Sequence, residues 1–354
     1  MCHQGLSLMK GQPQRVRDVV YVVGAGFSAG LGYPLTKDLL NEVWKRLGAS
    51  SQRRLAKVIK FHHPAFDPSL ATSFPNIELL LTEISVNLEL FDASRPVEGN
   101  FKKPELEAAK DSLLWEMAEW FHEIYKRAQS TPWLAAFGKR LDADSAAIVS
   151  FNWDLILDHL LFDDGIDGSG YGLTKELAAG PVLLKPHGSL NWYDSSDVKH
   201  VAKSQRVAIF DDQRPADRIE AFRSPRPIRS KVGKRYNPLL IPPTFLKDFK
   251  RPIFQRLWNN CTNVLSTPKT LIFLGYSLPS ADLHAQFIFR CGFHNQFEGR
   301  LKPTRGRFRP TGPANVIIVN PDEGAAKRIR EVAGPNVGCE WICSTVEDWV
   351  VATA

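Results

Sequence analysis

Short runs of apolar, β-branched residues alternate with amphipathic stretches along most of this chain. The run VVYVV (19–23) has no polar interruption, as expected of a strand buried on both faces. Similar runs recur at 146–151 (AAIVSF), 181–188 (PVLLKPHG), 270–275 (TLIFLG) and 315–320 (NVIIVN). Helical spacing fills 35–47, with Thr36 as its N-cap, then 252–266, 282–293 and 322–333. A strand-helix unit, CEWICSTVEDWVV, closes the pattern at 339–351. Strands alternating with helices argue for a parallel, doubly wound sheet.

Two stretches break the alternation. Between 50 and 140 no strand signal appears. Ile77, Leu81, Ile84, Leu88 and Phe91 share one helical face within 76–91, and Leu113, Met117, Trp120 and Ile124 share another within 104–128. Asn76 and Pro104 suit helix starts. The stretch is expected to be a helical insertion or subdomain. Residues 194–235 are polar, basic and rich in proline with little periodicity, and are expected to form an irregular excursion, either a lid or a partner-binding arm. The fold expected is α/β: a doubly wound parallel (Rossmann-like) sheet with an inserted helical subdomain, one domain across 354 residues.

In such a sheet ligands bind outside the carboxyl ends of the strands, so the residues just past each run are the candidates. Gly24, Gly26 and Ala29 satisfy G-x-G-x-x-G/A between a strand and a helix. Such a turn serves either packing or close approach to a phosphate at a helix N-terminus. No acidic residue ends a second strand at the spacing of hydride-transfer dehydrogenases, which argues against that class. Asn152 and Asp154 follow AAIVSF and suit either an Asx turn opening a helix or oriented dipoles in a site. His187 ends PVLLKPHG before the small residue Gly188, where an imidazole suits general-base work or a structural role. Asp282 suits a helix cap, and Asn320 a strand-to-helix turn.

Five blocks in order resemble the bacterial sirtuin-like (silent-information-regulator-like) NAD-hydrolase family of antiphage defence systems: VVYVVGAGFSAGLGYP, AAIVSFNWD, LLKPHGSLNWY, LIFLGYSLPSADLHAQFIFR and VIIVNPDE, spanning residues 19–323. The resemblance implies that Gly24, Ala25, Gly26 and Ser28 lie at the dinucleotide phosphates and Phe27 near the nicotinamide ribose. It implies that Asn152 orients ribose and water, that Asp154 holds the carboxamide and that His187 is the base. It places Gly275, Ser277, Leu278 and Asn320 around the adenosine. The activity implied is an NAD+ glycohydrolase, releasing nicotinamide and ADP-ribose, with NAD+ as substrate and no metal, as a regulated antiphage effector. The alternatives are a protein deacylase or ADP-ribosyltransferase using the same pocket, or a non-catalytic nucleotide sensor. Two departures favour water as acceptor: Tyr33-Pro34 is followed by Leu35-Thr36-Lys37 rather than an acidic-Phe-Arg run, and no zinc ribbon can be built.

Cysteine usage supports the second point. Cys2, Cys261, Cys291, Cys339 and Cys343 include no C-x-x-C pair, and so few suit a reducing compartment. No apolar run is long enough to span a bilayer and the first residues lack a signal-peptide core, so a cytoplasmic protein is expected. The net charge of +7 is concentrated in 223–235 and 299–310. Those loops suit either solvation or contact with nucleic acid or an acidic partner. A toxic activity needs an off state. Homo-oligomerisation, or a separate partner such as a DNA-translocating ATPase or nucleic-acid-sensing protein, is the expectation drawn from the family.

Overall fold

The computed structural model describes residues 17–90, 103–128, 130–144, 146–162, 170–174, 177–198, 206–210, 218–222, 228–229, 235–241, 251–298 and 312–353. The basic loop 299–310, most of 223–235 and Phe91 lie outside these residues.

Six strands form one parallel sheet: β1 (Val19–Val23), β2 (Ala147–Ser150), β3 (Val182–Leu184), β7 (Thr270–Leu274), β8 (Asn315–Val319) and β9 (Cys339–Ile342). Their spatial order is β3-β2-β1-β7-β8-β9. Counting only these six, this is the 3-2-1-4-5-6 order of a Rossmann-like sheet, with the order reversing between β1 and β7. Val20, Tyr21, Val22 and Val23 are fully buried, as the unbroken apolar run requires. Helices cover both faces because a parallel sheet exposes neither.

All the described elements between β1 and β2 are helical: α1 (Ala25–Ala29), α2 (Thr36–Arg46), α3 (Ala49–His62), a 3-10 turn at Ala71–Ser73, α4 (Ile77–Leu90), α5 (Lys103–Ala128) and α6 (Pro132–Ala143). Ile77, Leu81 and Ile84 of α4 and Leu113 and Met117 of α5 are fully buried. The Asn76 side chain accepts from Glu78 N at 2.7 Å, as a helix start should. At α2 the N-cap is Leu35 rather than Thr36, which is the first helical residue, and no side chain caps it.

The rest follows as α7 (Ile156–Leu161), α8 (Pro252–Leu265), α9 (Leu283–Glu298), α10 (Glu323–Ala333) and α11 (Val346–Thr353). Residues 194–235 are not simply irregular. With Trp192 and Tyr193 they build a second sheet of order β4-β6-β5, from β4 (Trp192–Asp194), β5 (Arg206–Phe210) and β6 (Ile219–Phe222), all antiparallel. Tyr193, Val198, Phe222, Ile228 and Tyr236 form its own small core. Two basic residues of this region are used in packing: the Arg229 and Arg235 guanidiniums lie 4.7 and 5.2 Å from the ring of the buried Trp115. No helix among the described residues is long and apolar enough to cross a membrane.

Candidate functional site

At the point of reversal the loops after β1 and β7 meet back to back. Gly24 N donates to Leu274 O at 3.1 Å and Gly26 N to Gly275 O at 2.9 Å. A Cβ on Gly26 would lie 2.8 Å from Gly275 Cα, and one on Gly275, whose φ is +60°, would lie 2.4 Å from Gly26 C. Only glycine permits this contact. The packing alternative therefore holds at these positions. The Gly26 N–H is committed to Gly275 O. α1 starts at once behind the turn, and Phe27 points into the core, edge-on to Trp133 at 5.3 Å. An apolar ring flanked by aromatic neighbours is driven inward, so Phe27 does not line the site expected of it.

Ser28 and Asp154, both buried, and the half-buried Asn152 form one knot. Ser28 Oγ donates to Asp154 Oδ2 at 2.7 Å and accepts from Asn152 Nδ2 at 3.1 Å. The same Nδ2 donates to Gly24 O at 2.9 Å. The Asn152 amide nitrogen is thus committed to the glycine turn, while no described residue donates to its Oδ1. Ser28 has one proton and gives it to Asp154, leaving none for a phosphate. Asp154 Oδ1 accepts from Ile156 N at 3.1 Å, the Asx turn that opens α7. Burial pushes the Asp154 carboxyl above the ordinary carboxylate value; the Lys185 ammonium and the Ser28 hydrogen bond pull the other way.

His187 stands across from this knot. Its Nε2 lies 2.9 Å from Asp282 Oδ2, and both side chains are buried. Asp282 Oδ1 accepts from Ala285 N at 3.2 Å, so the residue expected to cap α9 does so and also faces the histidine. The ring sits edge-on to Phe151 at 4.9 Å, and Phe151 stacks on Tyr276 at 4.4 Å. Gly188 turns the chain at φ +80°, where a Cβ would lie 2.1 Å from Leu239 O. The His187 carbonyl accepts from Trp153 Nε1 at 2.9 Å and Ile241 N at 2.8 Å. Behind the two loops lies Lys185, fully buried and bonded to the Asp154 carbonyl, Asp158 and Ser189.

Two adjoining cavities occupy this edge of the sheet. A small cleft of about 80 Å³ is lined by Gly24, Ala25, Ser28, Asn152, Asp154, His187, Tyr276 and Ser277, among others. A larger cavity of about 820 Å³ is lined by Ala25, Gly26, Gly275, Ser277, Asn320, Asp322, Arg328 and Glu347, among others. Thr36 and Glu78, from the helical segment, belong to both. Of the residues expected at the site, only Phe27 and Leu278 line neither. Leu278 is buried at a φ of 45°, its side chain in the core. Asn320 lines the larger cavity but also ties two loops together: Nδ2 donates to Tyr276 O at 3.2 Å and Oδ1 accepts from Asp322 N at 2.9 Å. Sequence reasoning missed Lys185, Glu78 and Arg328, and saw Asp282 only as a cap. Arg328 Nε donates to Ser277 O at 2.9 Å at the cavity edge. Among the described residues no group of three or more His, Cys, Asp or Glu side chains could hold a metal ion.

No protein-family model matches the chain, and no curated protein matches it. Among solved structures it is similar to a Sir2 homologue in complex with NAD, at 13% identity and a TM-score of 0.45 over 94% of this chain and 86% of that one. It is similar to a structure described as a basis for the mechanism and regulation of Sir2 enzymes, at 15% identity and a TM-score of 0.41 over 95% and 90%. It is also similar to Sir2Tm bound to a propionylated peptide, at 14% identity and a TM-score of 0.37 over 96% and 92%. Similarity at this level carries no functional conclusion for this chain, which stands on the residues of its own site.

Proposed function

We propose that the chain is an NAD+ glycohydrolase that cleaves NAD+ to nicotinamide and ADP-ribose with water as acceptor. The observation that carries this is the convergence of Asn152, Asp154 and His187 on one small cleft at the switch point of a Rossmann-ordered sheet. Each of the five sequence blocks that resemble sirtuin-like NAD hydrolases contributes residues to the walls of one or both cavities, which supports this reading. The larger cavity lies within the roughly 300–1,000 Å³ range of small-molecule sites. Lys37 and Arg328 line it as cations for the phosphates, and Ser277, Asn320 and Asp322 offer polar groups for the adenosine ribose.

In the proposed reaction the bond from ribose C1′ to the pyridinium nitrogen breaks, and its electron pair neutralises the departing nicotinamide. A water oxygen bonds C1′ and its proton passes to His187. Positive charge builds on the ribose as the bond breaks, so fixed acceptor dipoles and carboxylates around it lower the barrier. Asn152 Oδ1 is such a dipole, held in place by the two bonds of its amide nitrogen. Asp154 would meet the carboxamide through lone pairs left by Ser28 and Ile156. Asp282 orients the imidazole and stabilises charge on it, as carboxylates do beside catalytic histidines.

An antiphage role, cytoplasmic and controlled by homo-oligomerisation or by a separate partner, is supported by the sequence resemblance. The basic loops 223–235 and 299–310 are the proposed contact for nucleic acid or such a partner. Separating the products of NAD+ incubated with the purified chain tests the chemistry. Equal nicotinamide and ADP-ribose without any acceptor protein is the expected result. Consumption only with an acylated peptide would replace the hydrolase by a deacylase. Tight binding without turnover, with DNA and candidate partners added, would leave a sensor.

A further inference from the structure

We propose that Lys185 is a positioning residue of this site, holding the loop that carries Asn152 and Asp154 at a fixed separation from the loop that carries His187; the role rests on the cleavage proposed above. Lys185 is the first residue after β3 and its side chain is 1% exposed. An ammonium has three N–H donors, and Nζ has three acceptors: Asp154 O at 2.6 Å, Asp158 Oδ2 at 2.8 Å and Ser189 Oγ at 2.8 Å. The first belongs to the loop after β2, the second to α7 that this loop opens, and the third lies two residues beyond His187. One buried atom therefore spans both halves of the constellation.

The acceptors are themselves held. Ser189 Oγ donates to Asn191 Oδ1 at 2.7 Å, Asn191 Nδ2 donates to Tyr171 Oη at 3.1 Å, and Tyr171 Oη donates to Asp158. The chain of bonds closes on the carboxylate that also receives Lys185, so no member can shift without breaking a neighbour's bond. A buried ion pair is weak evidence for stability, because well-packed apolar residues often serve as well. What an apolar side chain cannot do is fix three acceptors from two loops at once. The loops have a second tie that does not involve Lys185: Trp153 Nε1 donates to His187 O at 2.9 Å and Leu190 N to Trp153 O at 3.1 Å. Removal of Lys185 should therefore loosen the spacing without detaching the loops.

The test is the double variant Lys185→Met/Asp158→Asn, which removes both buried charges and leaves neither stranded, beside Ser189→Ala, which removes only the contact on the His187 side. Reactive groups displaced by about 1 Å can cost about 100-fold in rate. The double variant should remain folded, keep its KM for NAD+ within about threefold and lose roughly 100-fold in kcat, with Ser189→Ala losing about tenfold by the same principle. A role confined to stability would lower the folded fraction and leave kcat of the folded protein unchanged. A folded double variant with kcat within about threefold of the unaltered chain, or a loss confined to KM, overturns the proposal. Should the double variant not fold, unchanged kcat in Ser189→Ala overturns it. If the unaltered chain does not hydrolyse NAD+ even with DNA and candidate partners added, the glycohydrolase assignment fails by itself, and amide hydrogen exchange decides the tie. Faster exchange at 152–156 and 187–190, with the sheet unchanged, supports it; identical exchange overturns it.

Discussion

A carboxylate 2.9 Å from an imidazole nitrogen does two things at once in this chain, because Asp282 also caps a helix. The roles can be separated. Asparagine caps as well as aspartate, so Asp282→Asn should melt close to the unaltered chain while its kcat falls by about 100-fold or more, by analogy with carboxylates that support catalytic histidines. His187→Gln should lose about 100-fold to 10,000-fold in kcat/KM, the range of general-base contributions. Asp154 gives a stability prediction. Folding raises this carboxyl above its ordinary 3.8, chiefly by burial, so the native chain binds the proton more tightly than the unfolded one. That stabilisation is complete below 3.8 and is lost as pH rises through the folded value. Asp154→Asn cannot ionise, so its urea midpoint should gain on that of the unaltered chain as pH rises from about 3.8. Asn152 and His187 were legible because each follows an apolar strand at the sheet edge where ligands bind. Lys185 was not: a lysine after a strand reads as solvated, and its carboxylate partner lies 27 residues away.

Among elements, the turn after β1 was readable as a glycine motif serving either packing or a phosphate, but not as one of these rather than the other. What decides between the two is the loop after β7, some 250 residues on, which no local pattern connects to it. Gly26→Ala would press a methyl group against Gly275 and should cost about 1–3 kcal/mol, as overpacking does, read as a lowered melting temperature. Gly188→Ala should act on function first. Its positive φ and its contact with Leu239 O would shift the residue after His187, and kcat should fall more than KM rises. The strands of the main sheet were legible as unbroken apolar runs and the helices from their period, since VVYVV and TLIFL are buried on both faces. The small sheet β4-β6-β5 was not. Its strands are set in polar sequence, and β4 pairs with β6 across an interval that hides the partnership.

For the molecule as a whole, the alternation of strands and helices pointed to the doubly wound sheet, and the sheet order puts the reversal, the glycine turn and both cavities at one edge. The helical segment between β1 and β2 was visible as missing strands, but not its contribution to the cavity walls through Thr36, Lys37, Asn76 and Glu78. Because its residues line the same space as the loops after β7 and β8, a bound dinucleotide should join the two parts. NAD+ at 100 times its Kd should add about 2.7 kcal/mol to unfolding stability, and ADP-ribose should do the same, measured by thermal denaturation at increasing ligand. The central claim is that the Asn152 dipole and its neighbours act on the bond being broken rather than merely holding the ligand. The measurement that tests it most directly is NAD+ turnover by Asn152→Ala beside the unaltered chain, with NAD+ binding measured on both. The account predicts binding within a few-fold and turnover lower by about 100-fold or more, the scale of losing one preorganised polar group. Equal turnover by the two proteins would contradict it.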